Sequence, residues 1–390
     1  MATKKKVTHK NPVTTKQPKP AKTNVKKATN PNLRFLAKAH RLVRQHLSAT
    51  MELPEFLQTA GGLTLNQRRT IVDQALLLFT ENYVHLPLKE SMHGIDPVQR
   101  LKLIQHRLSQ QTPATADTEY TFHREMLEVF NSVRDLHTNY LLPAPYNKVS
   151  AFMPFNIESY FEKKLERYVA SHFMQGFSHS HFRPGVEILT WNSVPIGRAV
   201  EVSANYHAGS NLPARRARGV DGLTFRSLMS HFPPDEMWVD IGYLDLNGKT
   251  REMRQEWLVS EPLPDTDSAN LGKLSIAAAS QGIEIDADIM RRMWQMLFAP
   301  SATVLKSTIS KAAHADGTIP SSMPKVFRAR VQSTPNGDFG YLRIFTFAVK
   351  KPESFIKECT RLIKQMPGRG LIIDVRGNSG GHIHPNEYST

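Results

Sequence analysis

Apolar and polar positions near the end of the chain alternate in a way that predicts a strand, a helix and a second strand. Residues 340–345 are rich in β-branched and aromatic side chains, which favours a strand. After Pro352, apolar residues recur every three or four positions, as on one face of a helix (Phe355, Cys359, Leu362 and Met366). Residues 371–375 are almost continuously apolar, which predicts a parallel strand buried on both faces. The pattern predicts a βαβ crossover unit, with a ligand-binding edge at the Gly-rich residues 376–381.

The region after residue 60 has the periodicity of helices. Thr64 and Gln67 have the spacing of a capping box, and Asp96 followed by Pro97 predicts the start of a second helix. Residues 119–134 predict a third helix, which runs into the sequence Asp135-Leu136-His137-Thr138. The fold class predicted for the whole chain is α+β with several domains, beginning with this helical N-terminal region.

The middle of the chain predicts a β-rich region. Residues 184–196 have the pattern of a hairpin, and residues 237–243 predict a strand that leads into an Asn247-Gly248 turn. Between them lies an insertion, residues 201–225, that carries Arg215, Arg216 and Arg218. These three arginines either contact a substrate carboxylate or belong to a solvated surface. Residues 260–330 surround one amphipathic helix near residues 285–297 and predict a connection or a lid over the core.

The net charge of +15 is concentrated at the N-terminus, because residues 1–51 contain ten Lys, three Arg and no acidic residue. We expect residues 1–32, which have almost no large apolar side chain, to form a disordered basic tail. Such a tail attaches weakly to nucleic acid, to an anionic membrane or to an acidic partner, or is simply solvated. Nucleic acid is the disfavoured partner, because no aromatic side chains interleave the charges as stacking platforms.

Other features of the composition exclude several classes of protein. No apolar segment follows the basic start as in a secretory signal, and no run of about eighteen apolar residues predicts a membrane span. The single cysteine, Cys359, excludes a disulfide within the chain and is expected to be a buried small hydrophobe. These features indicate a cytoplasmic location. His172, His179 and His181 have no nearby Cys and few nearby carboxylates in the sequence, so we expect surface histidines, and neither a metal nor a cofactor.

The C-terminal residues resemble the catalytic core of the tail-specific (C-terminal-processing) and tricorn-type serine peptidases. The resemblance lies in Gly-Tyr-Leu-Arg-Ile at 340–344, in Phe347, and in the sequence from Leu371 to Gly381. Residues 135–138 are similar to the D-x-H-T motif of the same family. The resemblance implies a C-terminal α/β core of the ClpP/crotonase-like type. It also implies that His137 is the general base and that Gly380 and Gly381 form the oxyanion hole.

The hairpin at 184–196 resembles that of a PDZ domain, with Ser193 where a glycine is usual. PDZ domains bind a peptide C-terminus by adding it as a strand to a sheet. The expected domains are therefore a basic tail (1–32), a helical N-terminal domain (33–160), a PDZ-like region (161–265), a connecting or lid segment (266–330) and a partial catalytic core (331–390). The expected partner is a protein or peptide substrate, and a homo-oligomer is possible.

The nucleophilic serine of the resembled family lies several tens of residues beyond the Gly-Gly turn, and this sequence stops at Thr390. We therefore expect a serine peptidase that is a fragment, or is inactive as given, because the nucleophile is not in the chain. The alternative is a non-catalytic peptide-binding protein or remnant of such a peptidase.

Ser379 offers a competing catalytic hypothesis, since residues 377–381 also satisfy G-x-S-x-G after a strand, as in the α/β-hydrolases. That fold needs an acid and a histidine on later elements, and only His382, His384 and Glu387 follow within eight residues. A chymotrypsin-like site needs an aspartate in place of Asn378 and an all-β chain. We therefore interpret Ser379 as a turn residue.

Overall fold

The N-terminal region forms the helices that its sequence predicted. The computed structural model describes residues 47, 50–261, 289–290, 293–294, 297–298, 317–349, 351–378 and 380–381. A short strand, β1 (Met51–Glu52), precedes the helices α1 (Leu53–Thr59), α2 (Leu65–Leu77), α3 (Leu86–His93), α4 (Pro97–Gln110) and α5 (Glu119–Ser132). Thr64 and Gln67 form the predicted capping box of α2, and Asp96 caps α4 by accepting the N–H of Gln99 at 2.7 Å.

The helices pack around one apolar core. The fully buried positions recur at helical spacing on α2, α4 and α5, as the sequence pattern requires (Val72, Leu101, Leu108, Met126 and Val129). The same core continues into the β-rich middle through Phe155, Ile157 and Ile241. The helical region and the middle of the chain therefore share one hydrophobic interior.

A buried hydrogen-bond network joins α5 to the loop before α2. One oxygen of Glu119 accepts the N–H groups of Gly62 and Leu63 at 2.6 and 2.7 Å. The other lies 3.1 Å from Nε2 of His123, whose Nδ1 lies 2.7 Å from the Tyr140 hydroxyl. Burial lowers the pKa of His123, which favours the neutral ring. The Nε2–H then donates to Glu119, and Nδ1 accepts from Tyr140.

The middle of the chain is an antiparallel sheet with two helices. Its strands lie in the order β3-β4-β5-β8-β9, with β6 paired to β5: β3 (Phe155–Glu162), β4 (Leu165–Phe173), β5 (Glu187–Trp191), β6 (Val194–Pro195), β8 (Trp238–Leu244) and β9 (Thr250–Glu256). The predicted insertion is helical: α6 (Ile196–Asn205) and α7 (Leu212–Gly222) pack against each other. The β5–β6 turn has Asn192 and Ser193 at φ 49° and 64°, so serine adopts the left-handed backbone that glycine usually supplies.

A second, smaller sheet pairs a strand of the N-terminal region with strands from the middle of the chain. Its order is β1-β10-β2-β7, with β2 (Ser150–Phe152), β7 (Phe225–Ser227) and β10 (Leu258–Ser260). Ile289, Met293 and Leu297 are buried at helical spacing and pack with Phe152 and Leu258 of this sheet. These three residues lie within the amphipathic helix predicted near residues 285–297.

The C-terminal part contains the predicted βαβ unit. Strands β11 (Thr318–Ile319), β12 (Phe327–Thr334), β13 (Gly337–Ile344) and β14 (Leu371–Asp374) form a sheet in that order, and α8 (Pro352–Lys364) connects β13 to β14. Strands β13 and β14 are parallel, with Gly340 opposite Leu371 and Arg343 opposite Asp374. Leu362 is fully buried on the predicted apolar face of α8, and Cys359 is half-buried beside it.

The prediction that residues 371–375 are buried on both faces is wrong. Leu371, Ile372 and Ile373 are 39%, 43% and 56% exposed, whereas Asp374 is buried. These residues are exposed because β14 lies at the edge of the sheet. Within the described residues, it pairs with β13 alone. Helix α8 covers side chains of β12 and β13, including Phe327 and Leu342.

The predicted tail (1–32) and most of the predicted connecting segment (266–330) lie outside the described residues. None of the helices in the described ranges combines the length and the apolar composition that a bilayer crossing requires.

Replacing Glu119 by alanine should lower the free energy of unfolding by about 2–4 kcal/mol, because two backbone N–H groups and a ring N–H lose their buried acceptor. Urea unfolding followed by tryptophan fluorescence measures the loss. Glu128→Ala on the same helix is the control, since Glu128 pairs with Arg100 and Arg124 at the surface and should cost less than about 1 kcal/mol. Equal losses for the two variants would contradict a stabilising role for the Glu119 network.

Candidate active site

His137 lies in an exposed turn directly after α5. Its backbone N–H donates to one carboxylate oxygen of Asp135 at 3.0 Å, and the other oxygen accepts the hydroxyl of Tyr83 at 3.0 Å. Arg134, where the chain leaves α5, has φ 54°, a left-handed conformation that is uncommon for a residue other than glycine. The imidazole of His137 is therefore carried on a turn that Asp135 and Tyr83 hold in place, and the residue itself is open to solvent.

Asp135 is ionised in this turn. Burial alone would raise its pKa, but the hydrogen bonds from the His137 N–H and the Tyr83 hydroxyl outweigh burial and hold the pKa below its ordinary value. Burial and the neighbouring carboxylate raise the pKa of Tyr83, so its hydroxyl remains a donor. Tyr83 was not predicted from the sequence, because it lies 52 residues before Asp135 and follows a π-helical turn at Leu78–Asn82.

The Gly-rich turn after β14 depends on a second carboxylate. Asp374 accepts hydrogen bonds from the Tyr341 hydroxyl at 2.5 Å, from Arg343 at 2.9 Å, and from the backbone N–H and guanidinium of Arg376 at 3.0 and 2.8 Å. The Arg376 guanidinium is the first cause that holds the pKa of Asp374 well below its usual range. The buried charge is therefore paired, and it fixes the direction in which the chain leaves β14.

Asn378 shapes the turn itself. Its amide Nδ2 donates to the carbonyl of Ile344 at 3.0 Å, and its Oδ1 accepts the N–H of Gly380 at 2.8 Å. The carbonyl of Gly380 in turn accepts the N–H of Phe347 at 2.8 Å. The N–H of Gly380 was predicted to donate to the oxyanion of the reaction. In this structure it donates to Oδ1 of Asn378, at the same distance that a bound oxyanion would have.

Gly381 lies against backbone. An added Cβ would stand 2.2 Å from the carbonyl carbon of Phe347, which no side chain tolerates. Among the described residues, the N–H of Gly381 has no hydrogen-bond acceptor in this turn. Of the two predicted oxyanion donors, Gly381 is thus the one whose N–H is not already engaged by Asn378.

The two halves of the predicted site are ordered by separate sets of contacts. Tyr83 and Asp135 hold the His137 turn, whereas Phe347 and Asn378 hold Gly380 and Gly381. That His137 and the glycine turn converge on one reacting carbon remains a prediction. Ser379, together with His382, His384 and Glu387 of the competing hypothesis, lies outside the described residues.

The remaining candidate residues have local partners. Nδ1 of His179 accepts the N–H of Phe182 at 3.1 Å, and the described residues include no cluster of three or more metal-ligating side chains. Arg216 pairs with Glu166 at 2.6 Å and with Glu201 at 3.3 Å. The two ion pairs indicate a structural role for Arg216. Its neighbour Arg215 forms no salt bridge with a described residue.

Comparison with known sequences confirms the resemblance. Residues 149–265 match the model of the PDZ domain, and residues 338–386 match the model of peptidase family S41. The latter range contains all but the first residue of β13, together with α8, β14 and the glycine turn. No curated protein matches the chain.

Solved structures show the same fold. The chain is similar to mature CPAF, with a TM-score of 0.53 and 20% identity over 82% of this chain and 56% of that chain. It is likewise similar to mature CPAF complexed with lactacystin, with a TM-score of 0.52, 18% identity and coverage of 82% of this chain and 57% of that chain. The chain therefore spans little more than half the length of these structures. The fold class is as predicted: a helical N-terminal region, a β-rich PDZ domain and a mixed α/β C-terminal part.

Replacing Gly381 by alanine should displace the glycine turn from Phe347 and destabilise the C-terminal sheet by about 1–3 kcal/mol, because the added methyl group overlaps backbone atoms. Gly368→Ala is the matched control, since no atom lies within 4 Å of its added Cβ. Amide hydrogen exchange across β13 and β14 reports the difference. Unchanged protection in the Gly381 variant would show that the turn does not pack on Phe347 as described.

Proposed function

Because the chain carries a segment of peptidase family S41 at residues 338–386 together with a PDZ domain, we propose that it is a serine-type peptidase of the tail-specific or tricorn type. Its substrates are proteins or peptides, and its reaction is hydrolysis of a peptide bond. The observation that carries the proposal is the glycine turn, which Asp374 and Asn378 hold at the carboxyl end of β14 within the family segment.

In this proposal, His137 is the general base. An exposed imidazole can take the proton of a serine hydroxyl near pH 7 and return it to the leaving amine. Asp135 and Tyr83 orient the turn that carries the ring, and they contact no reacting atom. Their hydrogen bonds support the proposal because a base must be held within reach of the proton that it accepts.

Gly380 and Gly381 are proposed as the oxyanion donors. Negative charge that develops on the scissile carbonyl oxygen is stabilised by N–H groups that already point at it. The N–H of Gly381 is the one proposed to serve directly, because it has no hydrogen-bond acceptor among the described residues. The N–H of Gly380 serves only when the carbonyl oxygen of the substrate replaces Oδ1 of Asn378, so Asn378 acts as a placeholder in the resting turn.

The nucleophile is proposed to be a serine on the strand that follows the glycine turn in the resembled family, and Ser379 is not assigned this role. The second candidate function is peptide binding without catalysis. The PDZ match at residues 149–265 favours it, since such domains bind peptide by strand addition.

The 390-residue chain alone should give no turnover of a fluorogenic peptide or of casein, because the covalent route needs a nucleophile. Turnover by the purified chain, abolished in a Ser379→Ala variant, would overturn the assignment and make Ser379 the nucleophile. A contaminating peptidase is excluded if two independent preparations of the wild-type chain and of the Ser379→Ala variant show the same difference in turnover.

In a chain extended through a serine-bearing segment of the family, His137→Ala should lower kcat by about two or more orders of magnitude, the usual effect of removing a general base. His106→Ala, an exposed histidine on α4, is the control and should leave kcat unchanged. Peptide turnover of the three proteins, with circular dichroism to confirm folding, tests the role. If the His137 variant turns over the peptide at the wild-type rate, the general base is not His137, and a catalytic pair of serine and lysine is indicated instead.

A further inference from the structure

The hairpin formed by β3 and β4 extends past the rest of its sheet. Strand β4 pairs with β5 only at Val169, opposite Glu187, and β3 lies at the edge of the sheet. The hairpin closes where Glu162 lies opposite Leu165. We call residues 160–165 the hairpin tip. Within the described residues, the two strands of the hairpin tip pair only with each other.

The hairpin tip exposes apolar side chains on both of its faces. Phe161, Leu165 and Tyr160 are 72%, 63% and 41% exposed. Tyr160 and Phe161 point to opposite faces, because side chains alternate along a strand. Leu165 lies opposite Glu162 and so shares the face of Tyr160. An element packed on one face would leave apolar side chains of the other face in water, so a suitable partner must surround the tip.

The turn of the hairpin tip carries two positive charges at its end. Lys163 and Lys164 have φ 48° and 71°, the backbone of a two-residue turn that favours Asn and Gly. Lysine at both positions has a conformational cost, which indicates a role beyond the turn itself. Neither lysine forms a salt bridge with a described residue. The two carboxylates nearest the turn are already paired with arginines (Glu162 with Arg167 at 2.9 Å, Glu166 with Arg216 at 2.6 Å).

We propose that the hairpin tip docks into the interface of an anionic membrane. In this arrangement, Phe161 and Leu165 lie at the boundary between headgroups and acyl chains, and the two lysines of the turn lie near lipid phosphates. A bilayer interface is fluid, so it can surround both faces of the tip. The insertion is shallow, because the backbone groups on the free edge of β3 need water or headgroups as partners. The inference does not depend on the proposed peptidase activity.

Residues 1–51 supply a second attraction to the same surface. They contain ten Lys, three Arg and no acidic residue. A small apolar insertion alone gives only weak, reversible attachment, and stable attachment to a membrane combines it with a polybasic segment. Basic residues near an anionic leaflet add to the binding until salt screens them. The chain therefore carries both kinds of group that peripheral membrane binding requires.

Cosedimentation of the full 390-residue chain with vesicles tests the apolar part of the site. The wild type should bind phosphatidylcholine vesicles that contain about 30% phosphatidylserine at least about tenfold more tightly than pure phosphatidylcholine vesicles. Phe161→Ser combined with Leu165→Ser should lower the partition coefficient by about tenfold or more. Leu88→Ser combined with Met92→Ser is the matched control, because these apolar residues on α3 are similarly exposed, and it should keep the wild-type value.

A second variant tests the charges without disturbing the turn. Lys163→Asn combined with Lys164→Gly removes both charges and introduces the residues that the turn favours, so the protein should stay folded by circular dichroism. Its binding to the anionic vesicles should fall by about fivefold or more. Residues 1–51 are the same in every protein tested, so each difference between variants reports on the hairpin tip.

Phe161→Trp gives a readout at the site itself. The added emission, measured against the wild type, should be quenched by lipids with brominated acyl chains, whereas that of Val84→Trp, an exposed position outside the hairpin, should not. Wild-type partition of the double-serine variant would overturn the proposal, since binding would then follow residues 1–51 alone. So would an unquenched Trp at position 161 in vesicle-bound protein. If the tip variants change only self-association in sedimentation velocity, the partner of the tip is a second copy of the chain, and the membrane proposal is wrong.

Discussion

The buried carboxylate of Asp374 is the interaction on which the C-terminal architecture depends. A carboxylate 6% exposed is costly unless it is fully paired, and here Tyr341, Arg343 and Arg376 all donate to it. Two of these donors lie on β13, so the ion cluster joins the parallel strand pair at its carboxyl end. The chain therefore leaves β14 in one direction, and the glycine turn follows from that direction.

The same type of turn occurs in both halves of the candidate site, the His137 turn and the glycine turn. Asp135 accepts the N–H of His137, Asp374 accepts that of Arg376, and Asn378 accepts that of Gly380, each two residues on. A side-chain oxygen that accepts the N–H two residues later closes an Asx turn, which orders a short loop without further secondary structure. The candidate base and the candidate oxyanion donors are therefore both presented by short, ordered turns, which is what acyl transfer needs from its groups.

Two buried carboxylates, Asp374 and Glu119, are stabilised in the same way. Around Asp374 and Glu119, each carboxylate has several donors, and the resulting networks stabilise the fold. Satisfied networks of this kind are typical of groups with a structural role. Arg216 is a further example, since it pairs with Glu166 and Glu201.

The sequence by itself determined the elements whose signals are local. The capping box at Thr64, the aspartate cap at Asp96, the apolar face of α8 and the parallel pair β13–β14 all follow from spacing within one segment, and the structure has them. The motif residues His137, Gly380 and Gly381 were likewise found by local pattern. The S41 match covers the two glycines, whereas His137 lies before both matched ranges, and the roles of all three residues remain predictions.

Only the tertiary structure decided what depends on distant partners. The exposure of β14 could not be predicted, because an apolar run does not reveal whether its strand lies at the edge or the centre of a sheet. The bond from Tyr83 to Asp135, the bonds from Arg134 to the carbonyls of Asn205 and His207, and the occupation of the Gly380 N–H by Asn378 each require the folded backbone. Hydrophobic periodicity records which face of an element is apolar; it does not record which element covers that face, or which charges meet when it does.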